Sequence, residues 1–307
     1  MKIHKGIDSF KKLSKAVVTT GTFDGVHLGH DKILNKLISV GCDTGAETVL
    51  ITFFPHPRIV LFPDQELKLI NTIEENISLF KKYNIDHLIF QNFDKAFSRI
   101  TSLQYIRDFL CQKVGLKDLI LGYNHHFGRN REGSKNELEE YADIYNFNIH
   151  EVDPFYLDKV SISSTKIRES INSGCVDLSN TYLGYNFKLS GHVIYGNGVG
   201  KDIGFPTANI KIENTNKILP AKGAYAVYVT YGNQKLKAML NIGFNPTFSN
   251  KKVSIEVNIF DFNQNIYGEF LTIEFIQKIR NEKKFQTVND LQNQLSLDKV
   301  FSLNILD

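Results

Sequence analysis

The chain has no tryptophan, only three cysteines and almost no net charge, and the last two shortages each speak against a class of protein. Cys42, Cys111 and Cys175 are far apart and odd in number. No Cys-x-x-Cys or Cys/His spacing suggests zinc, and no even framework suggests secretion. No run reaches the roughly 18 apolar residues of a membrane span, and the opening MKIHKGIDSFKKLSKAVV lacks the continuous apolar stretch of a signal peptide. Lys plus Arg number 36 against 33 for Asp plus Glu, so the whole chain carries no field suited to a nucleic-acid backbone, although local patches remain open to phosphate. The expectation is a reduced, cytoplasmic protein with no membrane and no nucleic-acid partner.

What is present is a globular mix, 42% hydrophobic and 22% charged, in 307 residues, enough for two ordinary domains or one large one. The first half alternates strand and helix signals. AVVTTGTF, ETVLITFFP, IDHLIFQNF and KDLILGYN read as short buried strands. DKILNKLISVG, IEENISLFKKYN, SLQYIRDFLCQKVG and KNELEEYADIYNF read as helices, the first with Ile33, Leu34, Leu37 and Ile38 on one face and Gly41 as its stop. Such a rhythm predicts an α/β, Rossmann-like domain with a parallel sheet covered on both faces. Past about residue 184 the rhythm changes to strand-like runs separated by Gly, Asn and Asp, with a short hairpin turn at Gly232–Asn233 and one closing helix, TVNDLQNQLSLDKVFSL. That half predicts a small antiparallel β-barrel with a C-terminal helix. The change in composition sets the expected domains at 1–184 and 185–307, and neither contains an internal repeat or a low-complexity tract.

The most informative stretch is GTFDGVHLGH, residues 21–30, which follows the first strand and opens a helix. Ligands of open α/β sheets sit beyond the carboxyl ends of the strands, where helix N-termini point. Gly21, Gly25 and Gly29 allow tight turns and close approach, and His27 and His30 can both face that space. Imidazole N–H groups there would meet phosphate oxygens alongside the free amides of the helix. The plainer alternative is two surface histidines near a cap. No third ligand for a metal is evident nearby, and no G-x-x-x-x-G-K-[ST] phosphate loop is present. A second piece, SISSTKIRES, places Ser163, Ser164 and Thr165 ahead of Lys166 and Arg168. It is a set of hydroxyls, helix amides and cations fit for phosphate, or else an ordinary helix cap.

In the second half, GNGVGKDIGFPTANI joins a glycine loop, residues 196–200, to a turn in which Thr207 and Asn209 offer hard oxygen atoms suited to Mg²⁺ and Pro206 fixes the backbone. A plain hairpin turn would also explain the glycines. SIEVNIFDF puts Glu256 inside a strand-like run, with Ile255, Val257 and Ile259 on the opposite face. A solvent-facing glutamate is the alternative there.

The HxGH and ISSTxxR pieces together resemble the nucleotidyltransferase superfamily. GTFDGVHLGH, TFFPHP, LILGYNHHFGRNREG and ISSTKIR, in that order, are similar to the adenylyltransferase module of bacterial bifunctional riboflavin kinase/FAD synthetases. GHVIYGNGVGKDIGFPTANI, KGAYAVYV, NIGFNPTF, IEVNIFDFNQNIYGE and IRNEKKF resemble the riboflavin kinase domain of the same family, so the likeness spans nearly the whole chain. The resemblance implies ATP-dependent phosphorylation of riboflavin to FMN, then adenylylation of FMN to FAD with release of pyrophosphate, with ATP as co-substrate and Mg²⁺ as cofactor. It implies that His27 and His30 bind ATP phosphates and stabilise the transition state. Gly21, Phe23, Asp24, Gly25, Gly29 and Asn124 would lie near the nucleotide, and Ser164, Thr165 and Arg168 on the pyrophosphate side. In the kinase it implies Glu256 as base on the ribityl 5′-hydroxyl and Thr207 with Asn209 at Mg²⁺. Gly198, Gly200, Lys201, Gly204 and Pro206 would lie around the nucleotide. Two positions depart from the family: His125 stands where it usually has an aromatic residue, and Asn258 where it has histidine. Rival readings keep one activity only, or make the chain a flavin-responsive RNA regulator or a relative of cytidylyl- or pantetheine-phosphate adenylyltransferases. The near-neutral charge speaks against the RNA regulator, and the GFPTAN half leaves the last without a use for its barrel.

Overall fold

The computed structural model describes residues 1–123, 128, 135–196, 200, 203–244 and 253–306. By its contacts the chain divides into two compact units, Met1–Ser164 and Thr165–Asp307.

In the first unit, strands β1 (Lys2–Lys5), β2 (Ala16–Gly21), β3 (Glu47–Phe54), β4 (His87–Asn92), β5 (Leu116–Gly122) and β6 (Asn148–Val152) form one sheet in the order β1-β4-β3-β2-β5-β6. Every pairing in it is parallel. The strands read as continuous apolar runs because both faces are covered. Val17, Leu50, Leu88 and Ile120 pack with Leu34 and Leu37 of helix α1 (Leu28–Thr44) and with Phe80 of a helix further on. Their alternate neighbours Val18, Val49, Ile51, Ile89, Leu119 and Leu121 pack on the other face with Ile106, Phe109, Leu110 and Leu138. Full burial of such side chains is worth about 1.5–3 kcal/mol each as an upper figure.

Two further helices, α2 (Pro57–Leu61) and α3 (Ile73–Phe80), follow β3. The stretch expected to be helical at 102–115 is one α-turn, Ser102–Gln104, that runs into a π-helical segment, Tyr105–Val114. Helix α1 does not stop at Gly41 but runs to Thr44, where Gly45 takes the left-handed conformation (φ 63°). Gly41 serves helix–sheet contact instead: a Cβ there would lie 2.5 Å from Thr48 Cγ2. The strand order reverses between β2 and β5, and at such a switch point an open parallel sheet leaves a crevice for ligands at its carboxyl edge. A short two-stranded ribbon, β7 (Tyr156–Leu157) with β8 (Val160–Ser161), completes the unit.

In the second unit, β9 (Lys188–Ile194), β10 (Ala208–Lys211), β11 (Gly223–Tyr231), β12 (Gln234–Phe244), β13 (Val253–Ile259) and β14 (Phe270–Arg280) close into an antiparallel barrel in the order β10-β13-β12-β11-β14-β9. β11 and β12 meet through the expected two-residue turn, with Tyr231 paired to Gln234 and Gly232 at φ 57°. The helix Val288–Ile305 covers part of the barrel exterior, where Leu295 and Ile305 join Ala226, Met239, Phe260 and Leu306. Arg280 donates from Nη2 to the buried Asp298 of that helix at 2.8 Å and fixes it in place. The helices Ser164–Ser173 and Val176–Leu183 count with the barrel from Thr165 onward. Asn180 donates to the Phe275 carbonyl at 2.8 Å and accepts from Phe187 N–H at 2.7 Å.

Candidate active sites

The first site grows from the end of β2. Between Gly21 and His27 the chain turns through Phe23 (φ 47°), Gly25 (φ 85°) and Val26 (φ 36°), all left-handed. A bulky or β-branched residue there costs of order 1–3 kcal/mol, so the surroundings must impose the conformation. They do so through Asp24, which is 3% exposed. Its carboxylate accepts from Ile70 N–H at 3.0 and 3.1 Å and from Asn71 N–H at 3.2 Å. Its main-chain carbonyl accepts from Ser164 Oγ at 3.0 Å. Phe23 is buried, with its ring 5.1 Å from that of His30 and 6.1 Å from that of Phe80.

His27 is the N-cap of α1: its Nδ1 accepts from His30 N–H at 3.3 Å. An accepting Nδ1 carries no proton, so the hydrogen of the neutral ring sits on Nε2, a donor for an anion. The two imidazoles stack, centroids 3.7 Å apart and 17° from parallel. Gly29 makes room for this fold-back, since a Cβ there would lie 3.1 Å from His27 Cε1 and Nδ1. Burial first, and the neighbouring His27 second, hold the His30 imidazole well below its ordinary value. Its Nδ1 is buried without a hydrogen-bond partner among the described residues. An unpaired buried nitrogen costs about 1–3 kcal/mol, which marks a place where a ligand completes the pairing. The amides of the first turn of a 17-residue helix add the positive end of its dipole at the same spot.

Ser164 opens the helix Ser164–Ser173, and Thr165 and Arg168 follow on it. Sequence reasoning passed over the exposed apolar side chains at the carboxyl edge of the sheet: Phe54 at the end of β3, Phe62 after α2 and Tyr123 after β5 are 47%, 49% and 69% exposed. Of these, Phe54 lies within TFFPHP and Tyr123 within LILGYNHHFGRNREG, while Phe62 lies in neither stretch. Asn124 and His125 lie outside the described residues, as do Gly198 and Lys201.

The second site lies on the barrel. Strand register puts Glu256 of β13 directly between Asn209 of β10 and Asn241 of β12. Glu256 is half-buried rather than solvent-facing, and burial raises its carboxyl above the ordinary value against the lowering effect of a hydrogen bond from Ser254. Thr207 precedes Asn209 by two residues, which in extended chain places both on one face. The ends of the glycine loop lie on these two side chains: a Cβ on Gly196 would come 2.0 Å from Asn209 Nδ2, and one on Gly200 would come 3.2 Å from Thr207 Oγ1. Gly204 is left-handed (φ 79°), and Phe205 N–H donates to the Gly200 carbonyl at 2.8 Å. Asn258 donates from Nδ2 to the Pro206 carbonyl at 2.7 Å, so at this departure from the family pattern a neutral donor holds the turn. Asn241 was not foreseen, because only strand register reveals its place beside Glu256.

An open cavity of about 320 Å³ beside the turn is lined by Pro206, Thr207, Ala208, Val257, Ile266 and Tyr267, among others. Among the described residues no group of three His, Cys, Asp or Glu side chains could hold a metal. The hydroxyl and amide oxygens of Thr207 and Asn209 are a donor set that fits a hard cation whose remaining ligands are water and phosphate.

Comparison with known proteins bears on both sites. The pattern of the FAD synthetase family matches residues 9–166, and that of the riboflavin kinase family matches residues 183–306. A bifunctional riboflavin kinase/FMN adenylyltransferase of Buchnera aphidicola (subsp. Schizaphis graminum) is 38% identical over 304 residues, covering 97% of this chain and 96% of that protein. The Escherichia coli K12 protein of the same description is 31% identical, covering 98% and 96%. A crystal structure described as a macrolide-efflux protein from Streptococcus pneumoniae superposes with a TM-score of 0.90 at 31% identity, covering 99% of this chain and 98% of that one. No helix among the described residues is long and apolar enough to cross a membrane.

Proposed function

The chain belongs to the family of bifunctional riboflavin kinase/FMN adenylyltransferases, and from that premise we propose which of its residues carry each reaction. It phosphorylates riboflavin with ATP and joins the resulting FMN to ATP, giving FAD and pyrophosphate. We place the boundary between the two catalytic domains at 184/185, a reading supported by the start of the riboflavin kinase match at residue 183. The helices between 164 and 183 then belong to the first catalytic domain.

In adenylylation an oxygen of the FMN phosphate attacks the α-phosphorus of ATP in line, and the bond to the pyrophosphate oxygen breaks. The nucleophile is already an anion, so the protein supplies position and charge neutralisation and no strong base. His27 donates from Nε2 to the triphosphate, His30 binds beside it, and the amides at the head of α1 complete the cradle. The loop of Gly21, Phe23, Asp24, Gly25 and Gly29 shapes this cradle, with Asn124 near the nucleotide. Ser164, Thr165 and Arg168 take the pyrophosphate side. Phe54 and Phe62 offer apolar area to the flavin ring. The observation that carries this reading is the stacked imidazole pair capping α1, with His30 Nδ1 buried and without a hydrogen-bond partner among the described residues.

In the kinase, Glu256 takes the proton of the ribityl 5′-hydroxyl as that oxygen attacks the γ-phosphorus and ADP leaves. Burial raises its carboxyl, which makes it a better base than an ordinary glutamate. Thr207 and Asn209 hold Mg²⁺, which when bound neutralises phosphate charge. Gly198, Gly200, Lys201, Gly204 and Pro206 line the phosphates, the cavity beside Thr207 takes the adenosine part, and Asn241 meets the ribityl chain. The three cysteines are free, in keeping with a reducing compartment, and we place the enzyme in the cytoplasm as a monomer or transient homo-oligomer. Chromatography of riboflavin, FMN and FAD over time tests the adenylyl site. His27→Ala and His30→Ala are expected to accumulate FMN with FAD formation down about 10²-fold or more. FAD formation at the wild-type rate in both would overturn the assignment.

A further inference from the structure

We propose that Asp24 is a positioning residue for adenylyl transfer, setting the geometry of the histidine pair without touching the nucleotide. The proposal rests on the reading that His27 and His30 carry that reaction. Asp24 sits in the motif loop, where a carboxylate facing a triphosphate would repel it. Its oxygens are spent elsewhere: three contacts from the Ile70 and Asn71 amides occupy an acceptor-only group that is 3% exposed. Those amides immediately precede Thr72, the N-cap of α3, where a negative charge is favoured by the helix dipole.

Asp24 therefore joins three segments. Its side chain holds the 70–71 loop, its carbonyl receives Ser164 Oγ from the start of the Ser164–Ser173 helix, and its backbone belongs to the left-handed turn that delivers His27. The grip is close. A Cβ on Gly25 would stand 3.0 Å from Ile70 Cδ1, so turn and loop are already in contact along this seam. Left-handed Phe23 and Val26 relax if the clamp opens, and His27 lies one residue beyond Val26. The cap from His30 N–H to His27 Nδ1, at 3.3 Å, has little length to lose. Asparagine at position 24 matches aspartate in shape and can keep an oxygen at the Oδ1 place, which accepts from both amides, but it loses the charge and turns an N–H₂ toward the Ile70 amide in place of Oδ2. Glutamate keeps the charge but carries it one methylene too far.

The test uses the full chain with Asp24→Asn, Asp24→Glu and, alongside, His30→Ala. The turnover number for FAD formation from supplied FMN is expected to fall about 10- to 100-fold in both Asp24 variants, the scale of an ångström-size misplacement. The KM for ATP is expected to move less than about 3-fold, and FMN formation, the internal gauge of folding, to stay at the wild-type rate. Nitrogen-15 NMR of the His27 ring is expected to show its accepting Nδ1 shifted in Asp24→Asn, a change that general loss of stability does not produce in a folded chain. A wild-type turnover number in either variant, or a raised KM with turnover kept, as removal of a nucleotide contact would give, overturns the proposal. If Asp24→Asn does not fold, Asp24→Glu decides by the same two parameters. If His30→Ala itself leaves FAD formation intact, the reading of the histidine site fails; if His30→Ala abolishes it while the Asp24 variants are normal, only the role of Asp24 fails.

Discussion

At His30, burial and the neighbouring His27 act in the same direction, and both disfavour the imidazolium. The unfolded chain takes up a proton near the ordinary value of 6.5 whereas the folded chain takes it only well below that. In that window the unfolded state binds more protons, so stability rises with pH and falls as the pH drops below about 6.5. Melting temperatures measured from pH 7 to pH 5 are expected to decline for the wild type and to decline less for His30→Gln. Equal slopes for the two proteins would show that His30 is not the group responsible. The chemistry of such residues was legible in the sequence because H-x-G-H and P-T-A-N place particular functional groups at fixed spacing. Their physical state was not legible. That His27 caps its own helix depends on the local path of the turn before it, and that Asp24 spends its carboxylate on Ile70 and Asn71 and that Asn241 flanks Glu256 depend on contacts distant along the chain.

Elements were legible where burial stamped a period on the residues. β2, β3, β4 and β5 are apolar on both faces and were foreseen. β1 was not, because KIHK shows no apolar alternation and is held by parallel pairing with β4 at the sheet edge. β10, four residues long, is likewise fixed by its partners β9 and β13 and not by its own pattern. Gly41 misled for a physical reason: glycine ends helices when its backbone is needed, but here its missing side chain is what matters. Thr48, which faces it, cannot move aside, because its amide and hydroxyl both donate to Asp86 Oδ2 and its hydroxyl accepts from Asp86 N–H. Gly41→Ala would gain up to about 1 kcal/mol of helix propensity, but a Cβ at 2.5 Å from Thr48 forces overpacking that costs about 1–3 kcal/mol. Net destabilisation in a denaturant titration is the expected result, and a more stable variant would show that the α1–β3 contact yields readily.

At the scale of the molecule, the change from alternating βα signals to successive strands divided the sequence into two kinds of architecture, and the structure contains both, a parallel sheet and a closed barrel. By contacts the helices Ser164–Ser173 and Val176–Leu183 count with the barrel from Thr165 onward, and Asn180 of the second donates to β14. Each half carries its own complete chemistry in this account: a histidine pair at a helix head for an anionic nucleophile, and a half-buried carboxylate on a barrel strand for a hydroxyl. Two independent centres in one chain should be separable by single substitutions. The measurement that tests this most directly is product analysis of Glu256→Gln with ATP and Mg²⁺, supplied in one series with riboflavin and in another with FMN. FMN formation is expected to fall about 10²- to 10⁴-fold, the loss of a positioned base, while FAD forms from supplied FMN at the wild-type rate. FMN formed from riboflavin at an undiminished rate, or FAD synthesis lost together with FMN synthesis in a folded protein, would contradict the account.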